Sequence, residues 1–192
     1  MKIIVASNNQ HKIREISAVL NSSVTLVTMA EAGITEDIPE NESSLEGNAL
    51  EKARYVYRLT GKNVFADDTG LETEALNGAP GVHSARYAGP GKDSDANIRK
   101  LLTELQGHEN RRARFRTVIA LILNTKEYLF EGIINGRIIN EKRGRQGFGY
   151  DPVFIPENEK LTFAEMPSAR KNQISHRAIA IKKLSDFLQG AL

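Results

Sequence analysis

Cysteine is absent from the 192 residues, which excludes disulfides, thiolate metal sites and cysteine nucleophiles and suits a reducing compartment. No apolar stretch approaches the roughly 18 residues of a membrane-spanning helix. The apolar run over residues 3–6 is too short for a signal-peptide core. Charge of one sign is scarce as well: a formal net charge of +2 neither demands nor forbids a nucleic-acid partner. Internal repeats, low-complexity tracts and a Pro/Ser-rich linker are also missing, so residues 1–192 read as one domain with no separable linker. What is present, 40% apolar and 26% charged residues, is the balance of an ordinary globular chain long enough to bury a sizeable core.

Strand-like and helix-like stretches alternate, which predicts an α/β or α+β fold. Residues 2–6 read as a buried strand and 24–28 as a second. Residues 9–20 place Ile13, Ile16 and Leu20 at helical spacing, and 45–59 align Leu45, Ala49, Ala53 and Val56 along one stripe. The acidic, polar residues 36–44 and the Gly/Pro-rich residues 77–91 read as loops. A short strand over 63–66 runs into Asp67-Asp68-Thr69-Gly70, and a helix over 95–105 is expected to end at Gly107. Residues 112–123 and 127–135 pair as a hairpin across Asn124-Thr125-Lys126, and 175–188 form an amphipathic closing helix.

Five constellations could carry chemistry. Ser7-Asn8-Asn9-Gln10-His11-Lys12 joins a strand end to a helix start. Free backbone N–H groups there, with polar side chains and a lysine, suit a phosphate. The same residues also suit a plain N-cap beside a solvated lysine. Asp67 and Asp68 raise each other's proton affinity unless a cation lies beside them, and Mg²⁺ is the natural one; a capped turn is the alternative. Residues 40–52 gather Glu40, Glu42 and Glu46 about a helix start, where carboxylates complement the dipole, with Asn48 and Lys52 on one face. Residues 144–152 set glycines around Phe148 and Tyr150, so that a ring could stack on a purine while Asp151 or backbone reads its edge; a tight turn with core aromatics fits equally. His176 and Arg177 follow Ser175, a natural N-cap, so two potential cations oppose the helix dipole unless an anion or base lies near.

Taken in order, SNNQHKIREI (7–16), GNALEKA (47–53), FADDTGL (65–71), GAPGVHSARYAG (78–89), GFGYDP (147–152) and ISHRA (174–178) resemble the inosine triphosphate pyrophosphatase family, which acts on noncanonical purine nucleoside triphosphates. The resemblance implies an α/β fold: a long, mixed, twisted central sheet flanked by helices, in two lobes with the active cleft between them. It implies a cytoplasmic, Mg²⁺-dependent homodimer with no stable nucleic-acid partner and no membrane contact. The implied reaction converts dITP, ITP or XTP to the nucleoside monophosphate and pyrophosphate, cleansing the nucleotide pool.

Roles carry over by position. Asp68 matches the general base and metal ligand, Asp67 its acidic neighbour at the metal, and Lys52 the helix lysine that reaches the phosphates. Ser7, Asn8, Asn9, Gln10, His11 and Lys12 match the triphosphate-binding stretch, and Thr69 a substrate contact. Phe148, Gly149, Tyr150, Asp151, Lys171, His176 and Arg177 match the base-recognition set. Many members carry Glu where this chain has Gly47; counting back from Lys52 selects Glu40, ahead of Glu42 and Glu46, as the upstream metal ligand. Donors at His176 and Arg177 would accept a 6-oxo purine and reject adenine.

Two rivals remain. Maf-type nucleotide pyrophosphatases open similarly, but ISHR and GFGYDP speak against them. A nucleic-acid-binding module would use Arg111, Arg112, Arg114 and Arg116 with Lys142, Arg143 and Arg145, since strand alternation sets Arg112, Arg114 and Arg116 on one face.

Overall fold

The computed structural model describes residues 1–20, 24–36 and 38–191; Asp37, inside the loop expected over 36–44, lies outside the described residues. The described strands are β1 (Lys2–Val5), β2 (Thr25–Thr28), β3 (Val64–Thr73), β4 (Pro80–Gly81), β5 (Arg112–Leu123), β6 (Lys126–Ile138) and β7 (Phe154–Pro156). The helices are α1 (Gln10–Val19), α2 (Leu45–Thr60), α3 (Ser94–Glu104), α4 (Ser168–Ile174) and α5 (His176–Ala191). The strands make one mixed sheet in the order β2-β1-β3-β5-β6-β7, with β4 on β3. β1 is parallel to β2 and β3, while β4 and β7 run antiparallel to their partners. The chain divides into two compact units: Met1–Asp68, Thr117–Gly132 and Arg177–Leu192 in the first, Thr69–Arg116 and Ile133–His176 in the second.

In the first unit, alternation along the strands decides everything that follows. Ile4 pairs with Val64 and Val5 with Phe65, so Ile3, Val5 and Phe65 share one face and Ile4, Ala6, Val64 and Ala66 the other. The first face packs with Ile16 of α1, Ala180, Ile181, Leu184 and Leu188 of α5, and Ile119, Leu121 and Leu123 of β5. The second face is also buried, as parallel strands covered on both sides must be. α2 buries Leu45, Asn48, Ala49, Lys52, Ala53 and Val56 as one stripe. It starts at Ser44, whose hydroxyl accepts from Gly47 N–H, and stops at Gly61 in the left-handed region.

The second unit packs Ile98, Leu101 and Leu105 with Ala113, Phe115, Phe154 and Phe163. The hairpin between β5 and β6 turns through Asn124 (φ 49°) and Thr125 (φ 71°), the paired positive angles of a tight two-residue turn. Two expectations need correction. α3 ends at Leu105 as its C-cap, and Gly107 (φ 77°) lies beyond it. β3 does not stop at residue 66 but runs on through Asp67 and Asp68 to Thr73. Among the described residues no helix is long and apolar enough to cross a membrane.

Candidate active site

Because β3 continues, Asp67 and Asp68 point to opposite faces of the sheet. They do not form a mutually repelling pair, as their adjacency suggested. Asp67 extends the row of Phe65 towards α1 and α5, where it lies 2.9 Å from Lys12 Nζ and 3.6 Å from Arg177 Nη2. Arg177 is in turn ion-paired to Glu15 of α1. Burial works against an ionised Asp67, but Lys12, then Arg177 and Lys52, outweigh it and hold the carboxyl well below the usual range. Asp68 extends the row of Val64 and Ala66 towards α2. Its Oδ1 lies 3.0 Å from Lys52 Nζ, and its Oδ2 accepts from Asn48 Nδ2 at 3.2 Å.

Lys52 Nζ also lies 2.9 Å from Glu40 Oε1, so one buried ammonium bridges two carboxylates from separate segments. Burial opposes that charge, yet Asp68 and then Glu40 raise Lys52 above its ordinary value. Asn48 ties the arrangement together: its Oδ1 accepts from Glu42 N–H at 2.9 Å, fixing the segment that carries Glu40. Gly47 has a packing reason here, since a Cβ would stand 2.7 Å from Glu42 Cβ.

Glu40 and Asp68 therefore offer two hard oxygen donors around one cation position, the kind of set Mg²⁺ takes together with substrate phosphates. Asp67, expected beside the metal, points to the other face of β3 and pairs with Lys12 and Arg177. Among the described residues no three His, Cys, Asp or Glu converge on one point, so the residues suit a cation completed by substrate or water oxygens. At the start of α1, Asn9 Oδ1 accepts from His11 N–H (3.0 Å) and Lys12 N–H (3.3 Å), and Ser7 Oγ accepts from Asn9 N–H (3.2 Å). The N-cap and the lysine thus coexist, with Asn8, Gln10 and His11 exposed around them.

A second cluster forms within the second unit. Lys171 Nζ lies 2.8 Å from Asp151 Oδ2, both nearly fully buried, and 5.2 Å from the centre of the Phe148 ring. Asp151 Oδ2 also accepts from Phe148 N–H at 2.9 Å. Gly147, at φ 78°, is what allows this: a Cβ there would lie 2.0 Å from Asp151 Oδ2. Its emptiness is filled by Asp151 rather than by a ligand. His176 stacks on Phe115 with centroids 4.7 Å apart and planes at 15°. Phe148 is half-buried, as are Gly149 and Thr69. Tyr150 takes the core alternative: it is 4% exposed and donates its hydroxyl to Ser84 O at 2.9 Å, which leaves Phe148 the more open of the two rings.

His176 and Arg177, neighbours in sequence, thus serve different clusters. Glu15 and Asn48 were not singled out as site residues. Glu15 stands three places after Lys12, on the same helix face, a spacing that could have marked it. The arginines of β5 alternate as expected, but Arg112 pairs with Glu74 at 2.9 Å, while Arg114 (2.6 Å) and Arg116 (3.5 Å) share Glu72. Likewise Lys142 meets Asp95 and Arg143 meets Glu165. The basic row is a mixed-charge face, a poor match for a phosphate backbone.

The model of the Ham1 family matches residues 3–187. A dITP/XTP pyrophosphatase of Porphyromonas gingivalis is 56% identical over 188 residues, 97% of either chain. The dITP/XTP pyrophosphatase of Bacillus subtilis is 46% identical over 190 residues, 97% of this chain and 96% of that one. Among solved structures, the Staphylococcus aureus Ham1 protein superposes with a TM-score of 0.92 at 40% identity over the whole of both chains. The converging motifs and this end-to-end likeness together establish that the chain belongs to the Ham1 family.

Proposed function

We propose that this chain hydrolyses noncanonical purine nucleoside triphosphates (dITP, ITP and XTP) to the monophosphate and pyrophosphate, with a divalent cation, Mg²⁺, as cofactor. The observation that carries the reading is the Lys52–Glu40–Asp68 arrangement, in a chain matched almost end to end by relatives named dITP/XTP pyrophosphatase. Glu40 and Asp68 would hold the cation. When bound, it supplies charge neutralisation for the phosphates and favours deprotonation of a nearby water.

The chain's own residues do the rest. Asp68 Oδ accepts the proton of a water whose oxygen forms a bond to the α phosphorus, and the bond from that phosphorus to the bridging oxygen breaks as pyrophosphate leaves. Lys52 and Lys12 offset charge on the phosphates; Asp67 orients Lys12, and Glu15 with Asp67 holds Arg177. Ser7 to His11 surround the same helix start and would donate to phosphate oxygens. In the second unit, Phe148 stacks on the purine, while Lys171, Asp151 and His176 with backbone at Gly149 read its edge; Arg177 is the further candidate donor to a 6-oxo group. Thr69 would touch the substrate where β3 leaves Asp68. The enzyme is proposed to act in the cytoplasm as a homodimer. Incubation with a nucleotide panel and Mg²⁺ tests the reading: dITP, ITP and XTP should be consumed far faster than ATP, GTP or dTTP. A preference for dTTP or ATP would overturn it.

A further inference from the structure

The placement of Lys52 poses a problem for any cation at Glu40 and Asp68. Its ammonium already sits between them, 2.9 Å from Glu40 Oε1 and 3.0 Å from Asp68 Oδ1. A divalent cation held by the same two carboxylates would set a second positive charge against that ammonium, so the two cations compete for one pair of anions. We infer that Lys52 is a built-in surrogate for the metal: in the metal-free enzyme it neutralises Glu40 and Asp68, and an arriving divalent cation must displace it. This rests on the reading that those two carboxylates hold the metal.

Three features support an exchange rather than a permanent salt bridge. First, Asp68 and the segment that carries Glu40 have anchors besides the lysine. Asn48 donates to Asp68 Oδ2 at 3.2 Å and accepts from Glu42 N–H at 2.9 Å, so both walls of the position are tied to α2. Glu51, one turn along α2, also accepts from Asn41 N–H at 2.8 Å. Second, access is one-sided: the Lys52 side chain is 6% exposed, whereas that of Glu40 is 27% exposed and gives a hydrated ion its entry. Third, lysine carries its charge on a flexible four-carbon stem, so an expelled ammonium can swing while α2 stays in place. The triphosphate supplies new negative charge for that freed ammonium. Metal and nucleotide then assist each other, because each removes a cost that the other would meet alone. The surrogate also explains how the buried Asp68 and Lys52, with the half-buried Glu40, persist in the free enzyme without an uncompensated charge.

The test is the affinity for Mn²⁺ alone, without nucleotide, read by the electron paramagnetic resonance signal of free Mn²⁺. Lys52→Met and Lys52→Gln remove the competing charge and should tighten Mn²⁺ binding by about tenfold or more, whereas Lys52→Arg should stay near the parent. Without metal the neutral variants should melt lower than the parent, and saturating Mn²⁺ should raise their Tm by more than it raises the parent's. If Lys52→Met does not fold, Lys52→Gln carries the measurement; if neither folds metal-free, Mn²⁺-induced folding reads the same competition. Unchanged or weaker Mn²⁺ binding in the neutral variants, or no recovery by Mn²⁺, would overturn the inference. Glu40→Gln and Asp68→Asn separate the two claims. If they bind Mn²⁺ as tightly as the parent, the metal assignment itself fails; if they lose it while neutral Lys52 variants gain nothing, only the surrogate role fails.

Discussion

Replacing Asp67 by asparagine should damage the fold and spare the metal, which is the reverse of what two adjacent carboxylates suggest. Asp67 is 2% exposed and faces Lys12 at 2.9 Å and Arg177 at 3.6 Å. With an effective dielectric of about 20, those separations correspond to gross attractions of about 6 and about 5 kcal/mol. Desolvation of the three ions offsets much of that in the parent. Asparagine removes the attraction, leaving the buried Arg177 with Glu15 and the half-buried Lys12 without the Asp67 charge. Breaking such a buried pair from one side costs about 3–5 kcal/mol. For a chain of this size that lowers Tm by roughly 6–20 °C. Urea unfolding followed by circular dichroism gives the stability, and Mn²⁺ titration gives the metal affinity. The expected result is a large loss of stability with Mn²⁺ affinity within about twofold of the parent. A stability change below about 1 kcal/mol, or a collapse of Mn²⁺ affinity with the fold intact, would refute the assignment of the two carboxylates to opposite faces.

Three further substitutions probe the rest of the site. Asp68→Asn should lower kcat for ITP by about 10² or more, the scale of losing a general base; near-parental turnover in a folded variant would remove Asp68 from that role. Gly147→Ala sets a Cβ 2.0 Å from Asp151 Oδ2 at a φ of 78°; it should cost about 1–3 kcal/mol of stability by urea unfolding and raise KM for ITP, and a neutral effect would mean Asp151 is not held as described. Phe148→Ala should reduce kcat/KM for ITP by about 1–3 kcal/mol, the value of one base stacked on a ring, while changing stability little; equal kcat/KM would assign the stacking elsewhere.

How much of this was legible in the sequence depends on whether the deciding interaction was local. The apolar run of β5 and the Ser44 and Gly61 boundaries of α2 are local signals, and both elements fall within a residue of expectation. β3 was cut short because Asp67-Asp68 looks like a turn, and the residues that make it tolerable as strand interior, Lys12, Lys52 and Arg177, are far along the chain, the nearest, Lys52, lying 16 places from Asp68. No local pattern reveals them. The same distance hid the split between His176, which stacks on Phe115, and Arg177, which joins Glu15 and Asp67. Tyr150 stayed open between two readings because a ring in a glycine-rich loop can face either a ligand or the core; the acceptor at Ser84 O, 66 residues away, favours the core. α4 is seven residues long with one buried residue, Lys171, and carries no apolar period to announce it.

The central claim is attack of water at the α phosphorus of a noncanonical purine triphosphate. Hydrolysis of dITP with Mg²⁺ in ¹⁸O-labelled water, followed by mass spectrometry of the products, tests it most directly. The account predicts dIMP carrying one ¹⁸O and unlabelled pyrophosphate. Label in the pyrophosphate, or dIDP and orthophosphate as the products, would contradict it.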